Sequence, residues 1–407
     1  MTPQIAKDKY KLTRFACYMC FIIQALIINF PPILFLHFST TYGIEISRIT
    51  FLVIINFACQ FCLDMLSAIF AKHISYKVMV VTSNIFAALG LASFALLPEI
   101  LPDPYVGLII ATLLSAIGSG LIEVIANPIM QSCPKPKKDF SMGFLHSFYC
   151  WGALGVVLIS TLLLLGTGMG SWKALALLWA AIPAINTVIF LITPVNQPSA
   201  EMEETSSLSK LVKTKTFWLF IFIMILGGAC EQGMAQWASA FAETALREIN
   251  IAPESAKLLG DLLGPCSFAL TMAISRMIYP RLCEKYDLRT VMMLSSMLCA
   301  VCYAVAAITQ NPFVSLVGCG VCGFSVGIMW PGTLDLAGKT CTFVGTALFA
   351  MLSLAGDLGC LTGPALVGFT ADILGGSLKA GMTAAILLPT ALTIILLFFK
   401  TKKQENK

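Results

Sequence analysis

The sequence predicts an all-α membrane protein: twelve transmembrane helices in two pseudo-symmetric six-helix bundles. Three observations carry this. The 407 residues are 58% hydrophobic and only 12% charged, where a soluble domain carries about 25% charged residues, and the mean hydropathy is +0.86. Twelve stretches reach the length of about 20 mainly apolar residues that a spanning helix needs. The two halves of the chain also resemble each other faintly, at a separation of about half the length.

The stretches are 15–38, 49–72, 78–98, 105–130, 141–166 and 173–195 in the first half. Those of the second half are 217–244, 255–280, 289–309, 313–338, 343–371 and 379–400. The first holds Pro31-Pro32; each proline lacks a backbone donor and crowds the preceding turn, so a bend or break is expected there. The seventh carries GGACEQG, residues 227 to 233, whose glycines also favour a bend. The fourth ends in Asn127-Pro128 and the tenth in Trp330-Pro331, each with a glycine eight residues before the proline, Gly120 and Gly323. AKHISYKVM (71–79) after the second stretch matches EKYDLRTVM (284–292) after the eighth. The longest polar stretch, 196–216, is read as a linker between bundles 1–195 and 217–407.

Lysine and arginine give the orientation. With the N-terminus inside, 21 of the 26 fall in cytoplasmic segments and 5 outside. Both termini are therefore expected in the cytoplasm. The polar, basic first 14 residues run straight into the first long apolar stretch, so no cleavable leader is expected. Compact size and short loops favour a bacterial inner membrane.

Several functions are excluded. A net charge of +5 is too modest, and its basic residues too scattered, for nucleic acid. The 15 cysteines include four CxxC spacings, but each lies in an apolar stretch without a partner histidine, where cysteine acts as a small hydrophobe. No phosphate-binding glycine loop, no metal-ligand spacing among the three histidines and no nucleophile triad is present. No enzyme activity, cofactor or metal is expected.

GSGLIEVIANPIM (118–130), ISYK (74–77) and GFSVGIMWPGTLDLA (323–337) together resemble the fucose:proton symporter family of sugar porters, within the major facilitator superfamily. That resemblance implies proton-driven sugar uptake by alternating access of the two bundles. It also implies two membrane carboxylates, one on the first helix and one on the fourth. Glu123 matches the fourth-helix carboxylate; Pro32 stands where the first-helix aspartate would be.

The remaining candidates come from position and residue type. Charges deep in a bilayer cost at least about 2.5–3.5 kcal/mol each, so Asp64, Glu123, Glu231 and Asp357 call for a role; no lysine or arginine lies equally deep by distance from the segment ends. A carboxylate in a low-dielectric medium with no cation beside it favours its protonated form, which suits a proton carrier. Glu123, Glu231 and Asp357 are the candidate proton-coupling residues, and Asp64 is read as an inter-helix brace. Glu123 and Asn127 share a helix face. Gln232 and Gln236 share another, beside Glu231 and Trp237, and amides next to an aromatic plane suit a polyhydroxylated ligand. Gln24 and Asn29 on the first stretch, Tyr149 on the fifth and Trp330 on the tenth complete the candidate substrate contacts. His146 is a weaker candidate for coupling. Arg276 and Asp261 are read as structural or gate residues, and Asp335 as a partner for Arg281 or Lys339.

The expected protein is thus a monomeric, proton-coupled symporter of a sugar-like small molecule, whose partners are its substrate, protons and the lipid bilayer. The alternatives are an uncoupled facilitator or exporter, favoured by the missing first-helix aspartate, and a non-transporting sensor.

Overall fold

The computed structural model describes residues 10–70, 74–133, 140–196, 208–341 and 346–399. Among them there is no strand, and twelve helices are long and apolar enough to cross a membrane. The first six are α1 Lys11–Ile33, α2 Ile46–Phe70, α3 Tyr76–Ile100, α4 Pro104–Ser132, α5 Phe140–Thr167 and α6 Trp172–Ile192. The second six are α7 Lys215–Ala235, α8 Pro253–Lys285, α9 Leu288–Ile308, α10 Pro312–Thr340, α11 Thr346–Ile373 and α12 Leu378–Phe398. The chain divides into two compact units, Met1–Met202 and Glu203–Lys407. The boundary falls within the polar stretch 196–216, of which 197–207 lie outside the described residues and Leu208–Leu211 forms a short helix.

Both units use the same helix pairings. In the first, α3 packs on α4 and α6, α1 on α5, and α2 on α4; in the second, α9 packs on α10 and α12, α7 on α11, and α8 on α10. Small residues make the approaches close, as expected where lipid offers no hydrophobic drive between helices. A Cβ on Gly118 would run into the Ala87 backbone, and one on Gly359 or Gly363 into carbonyls of α7. The paired glycines of the sequence do the same job in each unit. Gly120 lets α4 lie against Gln60 and Leu63 of α2, and Gly323 lets α10 lie against Phe268 of α8.

The faint loop repeat also has a physical basis. Ser75 and Asp287 stand at the N-caps of α3 and α9. Two residues on, Lys77 donates to the carbonyls of Leu191 and Thr193 at 2.9 and 3.2 Å, at the end of α6. Arg289 donates to those of Leu396 and Leu397 at 2.8 and 2.6 Å, at the end of α12. In each unit a basic side chain therefore satisfies the carbonyls that the last helix leaves open.

The first helix of each unit, α1 and α7, is interrupted at a matching place. α1 stops at Ile33, just after Pro31-Pro32, and a short helix Phe35–Tyr42 continues it. α7 stops at Ala235, two residues past Gly233, and Ala238–Arg247 continues it. α10 is interrupted between Val326 and Met329; Pro331 has no N–H to return to the Gly327 carbonyl. α8 contains one wide π-turn at Leu262–Cys266, around Pro265. Wide turns of this kind locally relieve the hydrogen-bond ladder. α1 and α7 are also the most enclosed helices, each 72% buried over its most apolar stretch.

Candidate functional site

In the N-terminal unit the polar side chains gather on α1, α2 and α4. Gln24, buried on α1, donates its amide to Glu123 Oε2 at 2.8 Å. The Asp64 carboxylate, from α2, lies within 4.8 Å of that of Glu123. One turn earlier on both helices, Ser119 of α4 donates to Gln60 Oε1 of α2 at 3.3 Å. This ladder follows from sequence spacing, because Gln60 and Asp64 share one face of α2 and Ser119 and Glu123 one face of α4. One turn beyond Glu123, Asn127 Oδ1 is buried without a hydrogen bond among the described residues. Pro128 removes the N–H that would reach the Val124 carbonyl. The α4 face thus offers a carboxylate, an amide oxygen and an uncovered carbonyl in succession.

Other candidates of this unit are placed differently. Asn29 donates to its own helix, to the Ala25 carbonyl at 2.8 Å, which leaves its amide oxygen for another group. Tyr149 is half-buried on α5, next to Phe148, whose ring stacks on Tyr18 at 4.6 Å. The side chain of His146 lies outside the described residues.

In the C-terminal unit, Glu231, Gln232 and Gln236 form a buried polar run on α7 and at its end. Gln236 donates to Gln232 Oε1 at 3.0 Å, and Gln232 donates to Glu231 Oε1 at 3.4 Å. Glu231 Oε2 faces a guanidinium nitrogen of Arg276, on α8, at 3.5 Å. The expectation that no cation sits at carboxylate depth therefore fails for Glu231. Arg276 is near the C-terminal end of its segment by count, but helical side chains lean toward the N-terminus, and its long side chain reaches Glu231.

Trp237 and Trp330 both contact α11. Trp237 is 1% exposed and donates its indole N–H to the Pro364 carbonyl of α11 at 3.1 Å, so both its ring and its polar handle are used in packing. Trp330 lays its ring over Gly356 of α11, where no Cβ would fit. Asp357 follows that glycine and is 4% exposed. Asp335 pairs with neither Arg281 nor Lys339 in the described contacts: it accepts from the Tyr279 hydroxyl at 2.8 Å.

A second charged cluster joins the extension of α7 to α8. Lys257, buried, donates to Asp261 Oδ1 at 2.9 Å and to Ser239 at 2.8 Å, and Ser239 donates to Asp261 at 2.5 Å. Glu243 lies 3.9 Å from Lys257 and pairs with Arg247. Gly260 brings the α8 backbone against Glu243. Four charges cancel here at close range, which is the arrangement a buried ionic network needs.

Asp64 beside Glu123, and Arg276 beside Glu231, are the contacts that sequence reasoning did not assign. The helical wheel of α8 carried a usable signal for Arg276. Its large exposed apolar side chains, Leu270, Ile274, Met277 and Ile278, all lie on the opposite half of the helix. Nothing comparable singled out Asp64, whose neighbours on α2 are mixed.

Comparison with known proteins adds the family. The sequence model of the Major Facilitator Superfamily matches residues 15–364 and 244–407. The chain is 24% identical over 288 residues to an uncharacterized MFS-type transporter of Yersinia pestis, covering 69% of this chain and 70% of that protein. Among solved structures it is similar to the nucleoside transporter NupG, with TM-score 0.70 and 16% identity over 98% of this chain and 100% of that one. It is likewise similar to the E. coli fucose:proton symporter FucP, with TM-score 0.63 and 15% identity over 97% and 100%. A bacterial homolog of the human lysosomal transporter Spinster matches with TM-score 0.73 and 12% identity over 96% and 97%. At these identities the structures establish the fold.

Proposed function

Because the chain belongs to the Major Facilitator Superfamily, we propose that it is a proton-coupled symporter of a sugar-like small molecule, a class that here includes the ribose of nucleosides. It works by alternating access, as a monomer in the inner membrane with both termini cytoplasmic. The observation that carries this reading is the Gln24–Glu123 contact on α1 and α4. It holds a membrane-embedded carboxylate by one oxygen, and no hydrogen bond among the described residues engages Glu123 Oε1. A proton or a ligand hydroxyl can therefore occupy that oxygen in turn. Asp64 places a second carboxylate beside it, a companion that α1, with Pro32 at the expected position, does not supply. The resemblance to the fucose:proton symporter family and the likeness to a nucleoside transporter's fold support the substrate class. Asn127, Gln232 and Gln236 supply amides for hydroxyl groups, and Gln24, Asn29 and Tyr149 line α1 and α5. Glu231 and Asp357 are the further candidates for the proton.

The test is accumulation in proteoliposomes. With an imposed inward proton gradient, the protein should concentrate its substrate above equilibrium. Equal final levels with and without the gradient would overturn proton symport in favour of the uncoupled facilitator or exporter, the alternative that Pro32 favours.

A further inference from the structure

We propose that Arg276 and Glu231 form a recognition pair in the C-terminal unit that takes the vicinal diol of a neutral, polyhydroxylated ligand. One hydroxyl donates to Glu231, and the neighbouring hydroxyl oxygen accepts from Arg276. This rests on the transport reading above and specifies the substrate class of the α7 run.

The first argument is geometric. Glu231 is 7% exposed, and its two polar contacts are both long, 3.5 Å to Arg276 and 3.4 Å to Gln232. A charge-assisted bond is about 2.7–2.9 Å. An ionised carboxylate has about four acceptor sites, so this buried group is held loosely and keeps capacity for a donor. The same unit shows what a closed ionic network looks like: Lys257, Asp261 and Ser239 meet at 2.5 to 2.9 Å. A buried carboxylate held only at these lengths forgoes the short contacts that offset its desolvation. A hydroxyl donating to Glu231 restores one.

The second argument is access. Arg276 keeps 21% of its side chain exposed, on the half of α8 opposite Leu270, Ile274, Met277 and Ile278, whose exposed apolar side chains mark the lipid-facing stripe. Around it on the inner half, Ala269, Met272, Ala273 and Tyr279 are buried. The exposed part of the side chain therefore lies away from the lipid-facing stripe, on the side where a polar ligand can approach it.

The third argument is charge. One guanidinium and one carboxylate cancel, so a neutral ligand bridges them without leaving either charge unpaired. An anion would have to displace Glu231 from Arg276, leaving a buried carboxylate without its cation. Neighbouring hydroxyls of a sugar ring or a ribose present one donor and one acceptor side by side. Gln232 and Gln236, next along the run, supply further donors and acceptors at one helical turn.

The test is binding to the full-length purified protein by thermal shift and calorimetry. The probes are neutral hexoses and ribonucleosides, their deoxy counterparts lacking one hydroxyl of each diol, and hexuronates. A neutral diol compound should bind, its deoxy counterpart at least about tenfold more weakly and the uronate not measurably. Arg276→Lys, which keeps the charge and loses the fork, should weaken the diol compound about tenfold and the deoxy compound little. Equal affinity for diol and deoxy compounds, preference for the uronate, or no shift with any neutral diol would overturn the pair's role. The ligand series needs no variant, so a folding defect in Arg276→Lys does not affect it. Gradient-driven accumulation of a compound without a diol would overturn this proposal and leave proton symport standing. Diol-selective binding without gradient-driven accumulation would do the reverse.

Discussion

Gln24 Nε2 donates to Glu123 Oε2 at 2.8 Å, joining α1 to α4 across 99 residues of sequence. The bond fixes the carboxylate by one oxygen and leaves the other to exchange partners. Asp64 stands within 4.8 Å on the neighbouring α2.

Glu123→Gln is expected to abolish gradient-driven accumulation while counterflow of substrate remains measurable. The amide keeps the shape and the contact to Gln24 but cannot release a proton. Active uptake that survives this change at wild-type level would remove Glu123 from the coupling step.

Gln24→Leu should lower uptake about tenfold without a comparable loss of thermal stability. A hydrogen bond to a charged group is worth about 1.5–3 kcal/mol, and here that energy sets the carboxylate's orientation. Initial rates of uptake alongside the melting temperature separate the two effects; an unchanged rate would show that the carboxylate is oriented by something else.

Lys257→Met should destabilise the C-terminal unit by about 3–5 kcal/mol, because it leaves Asp261 buried without its cation while Glu243 keeps Arg247. Combining it with Asp261→Leu should recover much of that loss, since both charges are then gone. Unfolding followed for the single and double variants measures the coupling, and additive losses would mean the pair does not interact.

Trp237→Phe should lower the melting temperature and leave substrate affinity unchanged. The change forfeits one buried bond, to the Pro364 carbonyl, worth about 1 kcal/mol. A large loss of affinity with stability intact would return Trp237 to the binding site.

Gly363→Val should weaken the contact between α7 and α11, because the new side chain would meet the Ala229 carbonyl. Overpacking of this kind costs about 1–3 kcal/mol. A variant that unfolds at the wild-type temperature would show that the two helices can separate freely.

The sequence by itself determined the membrane class, the twelve helices and their pairing into halves. Each of these depends on local properties: run length, hydropathy and the backbone habits of proline and glycine. The break near Pro31-Pro32 and the shared roles of Gly120 and Gly323 were legible for that reason. Position along a helix also picked out Glu123 and Glu231. Which side chains meet was decided by the tertiary structure alone. Count from a helix end placed Arg276 near the rim, yet its side chain spans back to Glu231, and a helix's depth and rotation fix that reach. Asp64 looked like a brace until α2 and α4 closed on Gly120 and brought its carboxylate beside that of Glu123. Trp237 and Trp330 looked like ligand walls because an aromatic beside polar residues reads that way. The close glycine-lined approach of α7 and α11 instead buried the Trp237 ring, and the facing α10 set the half-buried Trp330 against Gly356. Hydropathy depends on each residue separately, whereas a contact depends on two helices whose separation in sequence carries no record of their rotation.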